Sequence, residues 1–130
     1  MENCNGIPND LKYTNDHEWI RVEGNIGTIG ITAHAAGELG DVVYIDIADD
    51  LSEITSGENF GTIEAVKTVA DLLAPVTGKI TAINTGLNDA PETVNNDPYG
   101  EGWMVKVELS NPAELDALMD AEAYKALIGA

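Results

Sequence analysis

The sequence predicts one mainly β domain finished by a C-terminal helix, and three observations carry that reading. Most of the first 110 residues fall into short apolar runs separated by Gly, Asn, Asp and Pro, the spacing of a small sandwich or barrel. Trp103, Val105, Val107 and Leu109 make a clean period-two stripe, the mark of a strand with one buried face. After Asn111 the apolar spacing becomes helical. A length of 130 residues suits one domain with a real core. The expected division is a flexible leader over residues 1–6, a β domain over 7–110 and a helical segment over 111–130 packed on it.

In chain order, Glu18, Ile20 and Val22 alternate with Trp19 and Arg21, and Glu23-Gly24-Asn25 turns the chain into Ile26–Ile31, a hairpin. Thr32 is placed to cap a helical turn over Ala33–Ala36, which Gly37 would end in the left-handed conformation. A strand over Val42–Ile47 follows, with Val43, Ile45 and Ile47 expected on one face. Residues 49–57 read as an acidic loop.

Phe60–Val66 and Val69–Ala74 form two arms around Lys67. Pro75-Val-Thr-Gly78 turns into a strand over Lys79–Ile83, Asn84-Thr-Gly86 breaks it, and Asp89–Gly102 is a long loop before the strand Trp103–Leu109. Asn111 as N-cap, Pro112 at the first helical position and Glu114 in a capping box start the final helix. Its stripe of Leu115, Leu118, Met119, Tyr124, Leu127 and Ile128 is expected to pack as core.

Charge narrows the function. With 23 acidic and 6 basic residues the net charge is −17, which repels nucleic acid and anionic membranes. The other basic residues, Lys12, Arg21, Lys79, Lys106 and Lys125, are scattered singly. No apolar run is long enough for a bilayer, no export signal opens the chain, and the single Cys4 suits a reducing compartment. The cytoplasm is therefore expected, or the mitochondrial matrix for a chain processed from a eukaryotic precursor. There is no nucleophile elbow, HExxH or phosphate loop, and two histidines are too few for a convincing metal site, so an enzyme is not expected.

Lys67 stands apart from these scattered cations. It sits midway between two apolar β-like runs in Gly61-Thr-Ile-Glu-Ala-Val-Lys67-Thr-Val-Ala-Asp-Leu-Leu-Ala-Pro75, at a turn without Asn-Gly or Asp-Gly. A lone lysine at such a tip suits attachment of a group, although polar residues also occupy loop tips for solubility alone.

The run Gly61–Gly78 resembles the lipoyl-attachment hairpin of glycine cleavage system H proteins. Leu11–Trp19 is similar to the opening of that family, Ile29–Ala35 and Leu39–Tyr44 to its next segments, and Asn95–Trp103 with the segment Asn111–Leu127 to its end. The resemblance implies a lipoyl/biotinyl-type flattened β-barrel, a barrel-sandwich hybrid with a short internal helix and a C-terminal helix. It also implies a shuttle with lipoate linked to Lys67. Its partners would be a pyridoxal-phosphate glycine decarboxylase, a tetrahydrofolate-dependent aminomethyltransferase, dihydrolipoamide dehydrogenase and the lipoyl-attaching enzyme, and a monomer is expected.

By match to the family motif, Glu18 and Asp71 would line a cleft for the arm, with Asp16 and His34 behind them, and Glu64 would serve recognition by the attaching enzyme. The plain alternatives are a solvated strand end for Glu18 and Asp16, a hairpin-stabilising acid for Asp71, a satisfied helix-end histidine for His34 and a surface glutamate for Glu64. The family commonly has an acid where this chain has Ala33. Three other functions stay open: a donor relaying lipoyl groups to 2-oxoacid dehydrogenases, a biotinyl carrier, and a cofactor-free acidic interaction domain. Biotinyl carriers usually flank the lysine with methionine, and here the flanks are Val66 and Thr68.

Overall fold

The computed structural model describes residues 11–47 and 50–129, so the expected leader, Cys4 included, lies outside the described residues. Six strands, β1 (Lys12–Tyr13), β2 (Glu18–Glu23), β3 (Ile26–Ile31), β5 (Glu53–Ile54), β8 (Gly78–Ile83) and β9 (Val105–Leu109), form one sheet in the order β1-β2-β3-β9-β8-β5. A second sheet, β4-β6-β7, is built from β4 (Val42–Asp46), β6 (Asn59–Ala65) and β7 (Val69–Leu73). Three short helices are α1 (Ala33–Leu39), α2 (Thr93–Asn96) and α3 (Ala121–Ile128). No described helix is long and apolar enough to cross a membrane.

The two sheets share one core. Ile20, Ile29, Val105, Val107 and Leu109 enter it from the larger sheet, and Val42, Ile45, Phe60, Ile63 and Leu72 from the smaller. Burial of these branched side chains drives the two layers together. Alternation along β2 puts Ile20 in this core and Trp19 in a second cluster with Tyr13, Leu11, Ala121 and Tyr124. β2 is thus covered on both faces, with α3 on the side away from the main core.

The structure corrects several local expectations. Gly37 lies inside α1, and the helix runs on to Leu39 and closes at Gly40 (φ +82°), because the extra turn buries Leu39 beside Ala36. Thr32 does cap α1, its hydroxyl accepting from Ala35 N–H at 3.1 Å. In β4 a bulge between Val42 and Tyr44 breaks the alternation, so Val42 and Ile45 are buried while Val43 faces solvent. The acidic loop contains β5, which pairs with Gly78 and Lys79. The long loop after residue 89 contains α2, which buries Val94.

Trp103 stands outside β9 and packs with the second cluster, while Met104 is buried in the main core. The C-terminal helix is not continuous: Pro112–Ala117 is a 3₁₀ helix, the chain is extended at Leu118, and α3 starts afresh with Asp120 accepting from Ala123 N–H. Two contacts compel the break. The Glu114 carboxylate is drawn to Thr77 N–H (2.7 Å) and the Thr77 hydroxyl (2.9 Å), so it forms no capping box. Met119 exchanges two backbone bonds with Tyr13, both 2.8 Å, which demands an extended chain there. The apolar stripe splits accordingly: Leu115 and Leu118 join the main core, Met119, Tyr124 and Ile128 the second cluster, and Leu127 is exposed.

Candidate functional site

β6 and β7 meet in a two-residue turn whose central residues are Val66 and Lys67, closed by Ala65 N–H donating to Thr68 O at 2.8 Å. Neither central residue has a positive φ, which explains why no Asn-Gly is needed. The tip is braced from the side. Val66 N–H donates to Asp41 O at 2.9 Å, and the Asn95 side chain clamps the same segment, its Oδ1 accepting from Val42 N–H and its Nδ2 donating to Gly40 O, both at 2.9 Å.

Lys67 is exposed, and no described acid forms an ion pair with it. Its stem crosses Gly40: a Cβ placed there would stand 3.3 Å from Lys67 Cε. Val66, Val69, Val43 and Tyr44 surround the tip as exposed apolar side chains, with Val66 71 % accessible. Glu64 lies on the exposed face of β6, opposite Tyr44 and Val69.

Beside α1 lies a cleft of about 140 Å³. Asp16 and Glu18 line one wall, Glu38 and Leu39 of α1 another, and Asp71 of β7 a third. Asp16 and Asp71 are exposed on its rim, whereas Glu18 is only 2 % accessible. Its Oε2 accepts from Leu73 N–H at 2.7 Å, and its Oε1 is buried with no hydrogen-bond partner among the described residues. Burial pushes the Glu18 carboxyl up to about 8; the Leu73 hydrogen bond opposes that rise and the charge of Asp16 adds to it. The solvated-strand-end reading of Glu18 therefore does not hold.

His34 does not line the cleft. Its ring lies 5.0 Å from that of His17, which does line it. Burial, then His34, lowers the His17 pKa, against the pull of Glu38 and Asp16. Two larger cavities, of about 420 and 490 Å³, open beside residues 50–60 and 80–88 and contain none of the expected site residues.

The structure adds residues that the sequence pattern does not single out: Gly40 beneath the lysine stem, Asn95 behind it, Glu38 and His17 on the cleft, and Tyr124, whose hydroxyl meets His17 Nδ1 at 2.8 Å. Gly40 and Asn95 lie in blocks that resemble the family, so their presence was legible and their work was not. Nothing local in the sequence marks Tyr124 as more than core.

A family model described as glycine cleavage H-protein matches residues 11–130. The glycine cleavage system H protein of Symbiobacterium thermophilum is 57% identical over 120 residues, which cover 92% of this chain and 94% of that protein. The crystal structure of a glycine cleavage system H protein from Mycobacterium marinum superposes with a TM-score of 0.87 at 37% identity, covering 95% of this chain and 100% of that one. The expected barrel-sandwich architecture is borne out by that superposition, with the two sheets facing one another without joining into a closed ladder. On the match of the family model and on these two relatives, the chain belongs to the glycine cleavage H-protein family.

Proposed function

We propose that this chain is the lipoyl-carrying shuttle of a glycine cleavage system, with lipoate in amide linkage to Lys67 Nζ. The observation that carries the reading is an exposed lysine, without an ion pair among the described residues, held on a braced turn next to a small acidic cleft. When bound, lipoate supplies a dithiolane for taking the aminomethyl group from the glycine decarboxylase, passing its one-carbon unit to the aminomethyltransferase and being reoxidised by dihydrolipoamide dehydrogenase.

The chain's own residues present, receive and protect. Acylation removes the charge of Lys67 and leaves a neutral tether. Glu64, exposed beside the tip, is the recognition contact for the attaching enzyme, and the rigid turn lets that enzyme pick one lysine. Glu18, Asp71 and Asp16 provide acceptors for a cationic amine entering the cleft, and His34 acts on it only through His17. A cation beside Glu18 would favour its ionised form, so binding there is coupled to proton release. The excess of acids steers docking on the partner enzymes, and the chain works as a monomer in the cytoplasm.

Peptide mass spectrometry of the protein from its native cell tests the attachment. A lipoyl mass on Lys67 is expected. A biotinyl mass or a bare lysine in cells that lipoylate other proteins would sink the proposal. Glycine-dependent turnover with the purified partner enzymes then separates the shuttle from a donor that merely relays lipoyl groups.

A further inference from the structure

His17 is the one described residue other than glycine with a positive φ, at 68°. That conformation is one that residues with a side chain seldom adopt, and it persists only where the surroundings hold it. Around His17 they do. Its N–H donates to Thr14 O at 3.1 Å, its carbonyl accepts from Thr32 N–H at 3.0 Å, and Thr14 Oγ1 accepts from the N–H groups of Asp16 and Glu18, both at 3.2 Å. The remaining restraint comes from the far end of the chain, where the Tyr124 hydroxyl lies 2.8 Å from His17 Nδ1 and 2.8 Å from Thr32 Oγ1.

These bonds form a continuous chain. Ala35 N–H donates to Thr32 Oγ1, either hydroxyl can donate in the bond between Thr32 and Tyr124, and the Tyr124 hydroxyl meets His17 Nδ1 with roles set by the tautomer of the ring. The lowered pKa of His17 agrees with a neutral ring. One end of the chain is the N-cap of α1, which carries Glu38 and Leu39 into the cleft, and the other end is the residue before Glu18. The ring of Tyr124 is held separately, stacked on Tyr13 with centroids 4.7 Å apart and planes 9° from parallel. Packing is thus the work of the ring, and the hydroxyl is left with the two polar bonds.

We propose that Tyr124 is a positioning residue for the cleft: its hydroxyl ties the His17 turn to the start of α1 and so fixes where Glu18 stands against the opposite wall. This rests on the reading of the cleft as the receiving site for the arm. The C-terminal helix thereby takes part in the site without touching it.

The test is a titration of Glu18 by carboxyl carbon-13 NMR in the full-length, unmodified protein and in Tyr124→Phe, which keeps the stacked ring. Groups facing Glu18 are Asp16 and His17 from its own turn, Glu38 from α1 and Asp71 from β7; the substitution replaces none of them but frees the His17 ring from the hydroxyl, so that ring is titrated alongside. If the hydroxyl sets the cleft, its loss admits water and the Glu18 midpoint falls from near 8 by about one pH unit or more. Glu114→Gln is the control, because it loosens the C-terminal segment at Thr77 instead and should leave the midpoint in place. A Tyr124→Phe midpoint within about 0.3 units of wild type, or an equal fall in both variants, overturns the proposal.

The nitrogen-15 shift of His17 Nδ1 gives a second readout: it should move on Tyr124→Phe at neutral pH, and an unmoved shift would show that the hydroxyl does not hold the turn. Neither readout involves lipoate. A bare Lys67 would sink the shuttle reading alone, and an unmoved Glu18 would sink this proposal alone.

Discussion

The methylene stem of Lys67 lies across the bare α-carbon of Gly40, where a Cβ would stand 3.3 Å from Lys67 Cε and 3.4 Å from Cδ. Gly40 ends α1 two residues after Glu38, so a single short helix borders both Lys67 and the cleft. The backbone at Gly40, with φ +82° and ψ −158°, is open essentially to glycine alone.

Gly40→Ala should therefore destabilise the protein by about 1–3 kcal/mol in denaturant unfolding. Gly57→Ala serves as the comparison, since Gly57 has φ +86° and nothing within 4 Å of its built Cβ. The loss at Gly40 in excess of that at Gly57 reports the crowding of Lys67, and it should shrink in a Lys67→Ala background. An unchanged excess would show that the stem does not rest there.

Asn95→Ala removes both side-chain bonds to the Gly40–Val42 segment, and leaving that backbone unsatisfied should cost about 1–3 kcal/mol. The effect should reach the tip through Asp41 O. Faster amide exchange at Val66 is expected, with little change at Val107 in the core.

Glu18 makes stability depend on pH with a definite sign. Its carboxyl loses its proton near 4.5 in the unfolded chain and near 8 in the folded one, so the folded state binds more protons between those values. The stability this group contributes is full below about 4.5 and is lost as pH rises toward about 8. Glu18→Gln removes that dependence. Its stability relative to wild type should grow between pH 5 and 8, by an amount on the order of a few kcal/mol, and level off above. A difference that stays flat across this window would contradict a buried, proton-holding Glu18.

Lys67→Ala should abolish attachment while changing stability by less than about 0.5 kcal/mol, because the side chain is exposed and makes no ion pair among the described residues. Glu64→Ala should slow attachment at an unaltered melting temperature. Mass spectrometry of both variants, made in cells that lipoylate their own proteins, reads the two effects.

Local patterns were legible wherever one local rule decides the outcome. The hairpin through Gly24 and the Thr32 cap stand where alternation and turn chemistry put them, and the two apolar runs flanking Lys67 pair as its arms. The pattern failed where a distant partner outbid the local one. Glu114 turned from its expected cap to Thr77, and Met119 left its helical stripe to pair with Tyr13. The bulge that turned Val43 outward likewise serves the pairing of β4 with β6, which no property of Val42–Ile47 announces.

By itself the sequence determined a mainly β domain, the family to which the chain resembles, and one lysine set apart at a turn, because each is written in residue order and spacing. Only the tertiary structure decided which groups surround that lysine and the cleft. Glu18 became a buried acid with one oxygen unpartnered among the described residues, Gly40 a rest for the lysine stem, and Tyr124 a bridge to His17 across 107 positions. Desolvation and hydrogen bonding depend on what packs close in space, and for these residues the close neighbours come from distant parts of the chain.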